Sequence, residues 1–233
     1  MKSSVTIRSE EVEIRTSVGR ISGNISVPQG AQQAVIFAHG SGSGRHSPRN
    51  SLVAESLQEA GIATLLIDLL TKEEGTVDQQ TGEHRFNIEL LAERLFIATE
   101  WLNRHHEKMF RLGYFGASTG AAAALVAASQ RGDISAIVSR GGRPDLAGEA
   151  LSQVDAATLL IVGGHDEDVL ELNRQALAQL DKASNKQLQI VPGATHLFEE
   201  PGALDAVAQL ASDWFIQYLG AGRPTDYGRT KQW

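Results

Sequence analysis

Leu112-Gly113-Tyr114-Phe115-Gly116-Ala117-Ser118-Thr119-Gly120, followed by the alanine-rich run Ala121 to Ala128, is the stretch whose reading decides the fold. Apolar residues run into the pattern G-x-S-x-G, and alanines run out of it. That context predicts a strand turning at once into a helix, with the serine on a strained backbone and its hydroxyl lifted above the sheet edge. Gly116 and Gly120 keep the crowded turn free of side chains. The same turn aims the Thr119 amide and the helix N-terminus at the place where an oxyanion would form. The five letters alone recur by chance, because glycine, alanine and serine are common; the strand and helix on either side give them meaning.

Working outward, residues 4–15 and 18–27 alternate apolar and polar side chains, as in Val12-Glu13-Ile14-Arg15, and predict a half-exposed hairpin. Ala34-Val35-Ile36-Phe37-Ala38 is a continuous apolar run, as in a strand buried on both faces. It stops at His39-Gly40-Ser41-Gly42-Ser43-Gly44. A helix over 50–60 capped by Gly61, a strand over 62–67, a polar loop from Asp68 through Gly82, and a long helix from Asn87 to His106 follow. Beyond the elbow the pattern gives strands at 134–138, 158–162 and 188–191 and helices at 168–180 and 202–219. This alternation predicts an α/β fold: a mostly parallel sheet with an antiparallel N-terminal edge and helices on both faces. Ligands bind such sheets outside the carboxyl ends of the strands. Residues 1–219 read as a single domain and 220–233, rich in glycine, as a loosely held tail.

A serine hydroxyl needs a base, and the base needs a third group to fix its tautomer. The strand over 158–162 ends in Gly163-Gly164-His165-Asp166-Glu167-Asp168, and the strand over 188–191 in Pro192-Gly193-Ala194-Thr195-His196. Both loops fall on the elbow's edge of the sheet. The order nucleophile, acid, histidine is Ser118, Asp166, His196, which is the order of α/β-hydrolases. Read singly, His196 is an ordinary loop histidine and Asp166 a helix cap, with Glu167 and Asp168 as rival acids. Asp166 lies nearest the strand end. The second oxyanion donor is expected from the backbone after the first buried strand, at Ser41, beside that of Thr119.

On these features the chain resembles the α/β-hydrolases of the dienelactone hydrolase-like family. The resemblance runs from about residue 18 to 219: His39-Gly40, the elbow at 116–120, the G-x-x-D-x-x-V loop of Gly163, Asp166 and Val169, and the histidine loop before the last helix. It also implies Asp166 as the acid, by spacing. The family's founding enzymes carry cysteine where this chain has Ser118, a departure that favours a general serine esterase over a specific dienelactone activity. The implied chemistry is hydrolysis of carboxylic esters through an acyl-enzyme, without cofactor or metal. Thioester hydrolysis or acyl transfer on the same triad, and a non-catalytic binding module, are the rivals.

The remaining sequence narrows the setting. Arg45, Arg49, Arg85, Arg140 and Arg143 fall on the ligand-binding edge, and Arg45 and Arg140 are the candidates to hold a substrate carboxylate. Asp68, Glu73, Glu74, Asp145 and Glu199 lie on the same edge and could pair with them. Gly44 is followed by Arg45-His46 and not by Lys-Ser/Thr, so the glycine loop is not a P-loop. The spacing of His46, His84 and His165 matches no metal-ligand motif. Cysteine is absent, which excludes disulfides and thiolate chemistry. A formal charge of -7 disfavours nucleic acid as a partner. No apolar stretch reaches membrane-spanning length and the charged N-terminus lacks a signal-peptide pattern, so a cytoplasmic protein acting on a small-molecule ester is expected. The short connection 143–157 leaves little room for a lid. Oligomeric state has no sequence signal.

Overall fold

The alternating N-terminal segments pair as an antiparallel hairpin, β1 (Ile7–Arg15) and β2 (Arg20–Pro28). Ile14 and Ile21 face each other across it and are buried, while the neighbouring Glu13, Arg15 and Arg20 are exposed. The computed structural model describes residues 6–106 and 110–220. Six further strands complete the sheet: β3 (Gln33–Ala38), β4 (Ala63–Ile67), β5 (Arg111–Ala117), β6 (Ile134–Arg140), β7 (Ala157–Gly163) and β8 (Lys186–Val191). Their order is β1-β2-β4-β3-β5-β6-β7-β8. Pairs β1/β2 and β2/β4 are antiparallel and the others parallel, giving the α/β-hydrolase arrangement.

From β3 the chain first runs to β4 on one side and then to β5 on the other. The sheet therefore has its switch point between the carboxyl ends of β3 and β5, where α/β sheets bind ligands. Ala38 pairs with Gly116 there, so the glycine loop and the elbow leave the sheet side by side.

Helices α1 (Pro48–Glu59) and α6 (Ala203–Gly220) cover one face. The other face carries α3 (Ile88–His105), α4 (Thr119–Ser129), α5 (Glu167–Gln179) and a 3-10 helix over Pro144–Gln153. Helix α4 is apolar on every side and buried from Thr119 to Ala128, as a helix enclosed by sheet and neighbours must be. Its alanines let the turn close tightly. A side chain at Gly116 would run into the backbone of Gly120 and Ala121, and one at Gly120 into the carbonyls of Ala38 and His39. On the opposite face Phe215 of α6 fills the space that Gly113 leaves empty.

The polar loop expected over residues 68–86 contains a helix, α2 (Lys72–Thr81). Its polar composition and central Gly75 hid it from a periodicity reading. A capping box marks its start: Thr71 accepts from the Glu74 amide at 3.2 Å while the Glu74 carboxylate accepts from the Thr71 amide at 2.8 Å. Glu74 also receives Nη2 of the fully buried Arg94 at 2.8 Å, tying α2 to α3. Strand β6 runs to Arg140, two residues beyond the expected end. The connection over 143–157 holds only the 3-10 helix, and no lid is evident. Of the expected tail, Gly220 ends α6 and the rest lies outside the described residues. No helix among the described residues is long and apolar enough to cross a membrane.

Candidate active site

Ser118 sits between β5 and α4 with φ 51° and ψ -123°. Positive φ on a residue with a Cβ costs roughly 1–3 kcal/mol and persists where the surroundings enforce it. The enforcing bonds are visible: the Ser118 amide donates to the Arg140 carbonyl at 3.3 Å, and its carbonyl accepts from the amides of Ala121 and Arg143, each at 3.1 Å. The second non-glycine residue with positive φ among those described is Phe198, at 55°, two residues after His196. Backbone strain thus falls on both loops that meet here.

Asp166 and His196 come from successive strand ends. The two loops are laced by the His165 amide on the Ala194 carbonyl and the Gly164 amide on the Val191 carbonyl, both 2.9 Å. Glu200 pins the histidine loop further, accepting from the Thr195 amide at 3.0 Å and the Thr195 hydroxyl at 2.6 Å. Across this scaffold Nδ1 of His196 lies 2.6 Å from Oδ2 of Asp166. Asp166 begins α5 but caps no amide with its side chain, so its carboxylate is turned to the histidine. Glu167 and Asp168 are exposed in the first turn of α5. The carboxylate can only accept, and a neutral imidazole that donates Nδ1–H to it keeps its lone pair on Nε2.

Loop 140–143 joins these parts. Its Arg140 carbonyl and Arg143 amide hold Ser118, while Gly141, at φ 49°, lies against His196: a Cβ there would stand 3.0 Å from the His196 carbonyl and 3.7 Å from Cε1. The elbow and the histidine therefore flank one loop.

On the other side of Ser118 is the glycine loop. A Cβ on Gly40 would stand 3.0 Å from that of Ser118. Neither the Ser41 nor the Thr119 amide donates to a protein acceptor among the described residues. His39 holds this loop. Its Nδ1 donates to the Gly40 carbonyl at 2.8 Å and its Nε2 accepts from the Leu69 amide at 3.0 Å, which requires a neutral ring. Burial pushes the His39 pKa below the usual imidazole value, against the opposing pull of the Gly40 bond and Asp68.

The edge arginines separate into two kinds. Arg45 is held by Asp68 through both its guanidinium and its amide, with Nε on Asn24, so its charge is matched within the protein. Arg49 pairs with Glu199, Arg85 with Asp78 and Arg143 with Asp145. Among the described residues Arg140 has no carboxylate partner. Its side chain is buried on the α1 side of the sheet end, where Nη2 reaches Asn50 Oδ1 at 3.4 Å and Nε meets no acceptor. Burial and the nearby Arg49 push its pKa down to about 10. A position inside β6, and not on an open edge, explains the difference.

A cavity of about 970 Å³ opens beside the elbow, on the side of the glycine loop. Gly40, Ser41 and Thr119 line it, with the β1–β2 turn as one wall and α2 as another. Ser118, Asp166, His196 and Arg140 do not line it, whereas Arg45 does. Sequence reading missed this chamber because α2, its outer wall, was hidden; the T-x-x-E of Thr71 to Glu74 was the signal for it.

Comparison with known proteins agrees with this architecture. A dienelactone hydrolase from Anabaena variabilis is 56% identical, with a TM-score of 0.88 over 91% of this chain and 98% of that one. Est1E from Butyrivibrio proteoclasticus (15% identical, TM-score 0.76, 91% of this chain and 99% of that one) shares the fold. So does an esterase from Pyrococcus furiosus (18% identical, TM-score 0.75, 92% of each chain). Two Mycobacterium tuberculosis proteins, both bearing the name "Putative phosphoribosyl transferase", are 53% identical over 221 residues, 94% of this chain. This chain spans 48% of their length, about half. The dienelactone hydrolase family matches residues 21–219, and the chain belongs to that family.

Proposed function

We propose that the protein is a serine hydrolase of carboxylic esters, with Ser118 as nucleophile, His196 as base and Asp166 as the residue that orients it. The observation that carries this reading is the 2.6 Å contact of His196 Nδ1 with Asp166, on a loop that shares Gly141 and its neighbours with the strained Ser118 turn. Membership of a hydrolase family supports it. Ser118 Oγ attacks the ester carbonyl while His196 Nε2 takes its proton. The amides of Thr119 and Ser41 receive the oxyanion. Collapse breaks the bond to the alcohol oxygen, which leaves with the proton from His196. Water, deprotonated by His196, then attacks the acyl-enzyme and releases the acid with Ser118 restored.

Arg140 holds a substrate anion in this reading, because among the described residues its buried guanidinium has no counter-charge while Arg45 is matched by Asp68. Thioester hydrolysis and acyl transfer would use the same groups and differ only in the leaving group or the acceptor. Phosphoribosyl transfer, carried by the name of the Mycobacterium tuberculosis relatives, is not proposed here: half of each relative lies outside the match, and the matched half is the hydrolase family's.

The test is hydrolysis of an ester panel varying acyl length and charge by wild type and Ser118→Ala. Wild type is expected to turn over at least one class of ester and the variant to lose most of that activity, a drop of about 10³-fold or more. Equal rates from the two proteins would end the proposal.

A further inference from the structure

We infer that the cavity on the oxyanion side of Ser118 is an acyl-group site built for a polyhydroxylated, uncharged acyl chain of about monosaccharide size or larger; this rests on the serine-esterase reading above. The direction follows from where the catalytic groups stand. In such a mechanism the leaving oxygen must face the histidine, since the histidine gives it a proton, and the carbonyl oxygen must face the oxyanion amides. Gly40 and Thr119, which neighbour Ser118 in space and in sequence, line the cavity together with Ser41, while Ser118 itself, His196 and Asp166 do not. A chamber continuous with the oxyanion amides and turned away from the base takes the acyl part, and the alcohol departs on the open histidine side.

The lining sets the class. At about 970 Å³ the cavity is at the upper end of small-molecule sites. Its lining includes the exposed residues Ser43 and Thr76, Glu13 and Glu73, and Arg20 and Lys72. Two further lining pairs, Arg45 with Asp68 and Arg85 with Asp78, are matched within the protein. Charges of both signs in equal number disfavour an anionic or cationic chain. No phenyl, phenol or indole ring is among the lining residues. Val18, Leu69, Leu70 and Leu91 offer an alkyl chain some apolar contact, but it would still displace water from the polar and charged side chains that make up most of the lining, whereas hydroxyls can both donate and accept.

Gly75 allows a direct test. It lines the cavity from α2, and a Cβ there meets nothing within 4 Å, so the position has room for a side chain to begin beside the cavity. The measurement is proton release from methyl gluconate, methyl octanoate and methyl acetate, which share a leaving group. Wild type is expected to process methyl gluconate with kcat/KM at least about tenfold above methyl octanoate, the kind of margin a hydrogen-bonding site gives over an apolar isostere. Gly75→Trp, checked for native near-UV circular dichroism, is expected to lower the gluconate-to-acetate ratio by about tenfold or more. Thr76→Phe, from the same wall, is expected to move it in the same direction should Gly75→Trp not fold. A preference for octanoate in wild type, or an unchanged ratio in a folded variant that still hydrolyses methyl acetate, would overturn the acyl-site inference alone. Failure of wild type to hydrolyse any ester would overturn the esterase reading and this inference with it.

Discussion

Ser118, Asp166 and His196 lie far apart in sequence, and each has an ordinary reading on its own. Geometry distinguishes them. Ser118 holds a backbone conformation that side-chain-bearing residues avoid, and Asp166 leaves its helix uncapped while its carboxylate meets His196. The three acids at 166–168 could not be separated by residue type, since all begin the same helix; only the direction of the strand end does so. If Asp166 orients the base, Asp166→Asn should lower kcat by about 10³- to 10⁴-fold with little change in KM, because an amide favours the wrong imidazole tautomer. Glu167→Gln and Asp168→Asn should stay near wild type. Steady-state kinetics on one good ester checks this, and a large loss from Asp168→Asn with none from Asp166→Asn would move the role. Asp68 is among the acids expected to pair with the edge arginines, and its match with Arg45 bridges 23 positions.

At the scale of elements, sequence pattern located every strand, because buried parallel strands are runs of apolar residues bounded by glycine and polar loops. It missed α2, whose polar composition gives no apolar stripe and whose place is fixed by a capping box and the Glu74–Arg94 bond. Helix α2 and the glycine loop are linked through their flanking segments by His39, which joins Gly40 to Leu69. Because burial lowers the folded-state pKa of His39 below its unfolded value of about 6.5, the unfolded chain binds the extra proton first. The stability contributed by neutral His39 is therefore fully present above about pH 6.5 and is lost as pH falls from there through the lowered folded pKa. Urea denaturation of wild type between pH 5 and 7.5 should show stability falling toward acid. His39→Gln, whose amide can still accept from Leu69 but does not titrate, should flatten that slope. Equal slopes would show that other groups set it.

The candidate site lies at the sheet's switch point, whereas sequence alternation anticipated only the carboxyl ends of the strands. What it could not supply was the cavity, a product of the hairpin turn, the glycine loop and α2 meeting in space. The chain's formal charge of -7 adds a long-range effect on anything approaching that site. Association of an anionic ester should speed up as salt screens the repulsion, while a neutral ester should be indifferent. Comparing kcat/KM for the two at low and moderate ionic strength checks this. In Arg140→Gln the anionic ester should lose ground against the neutral one at every salt concentration, and an unchanged ratio would remove Arg140 from substrate binding. The claim on which the rest depends is that Ser118 is an activated nucleophile. Intact-mass and peptide-mapping mass spectrometry after treatment of the folded protein with a fluorophosphonate tests it most directly. One adduct per chain, on Ser118 and absent from Ser118→Ala, is the predicted result; no adduct, or an adduct on another residue, would contradict the account.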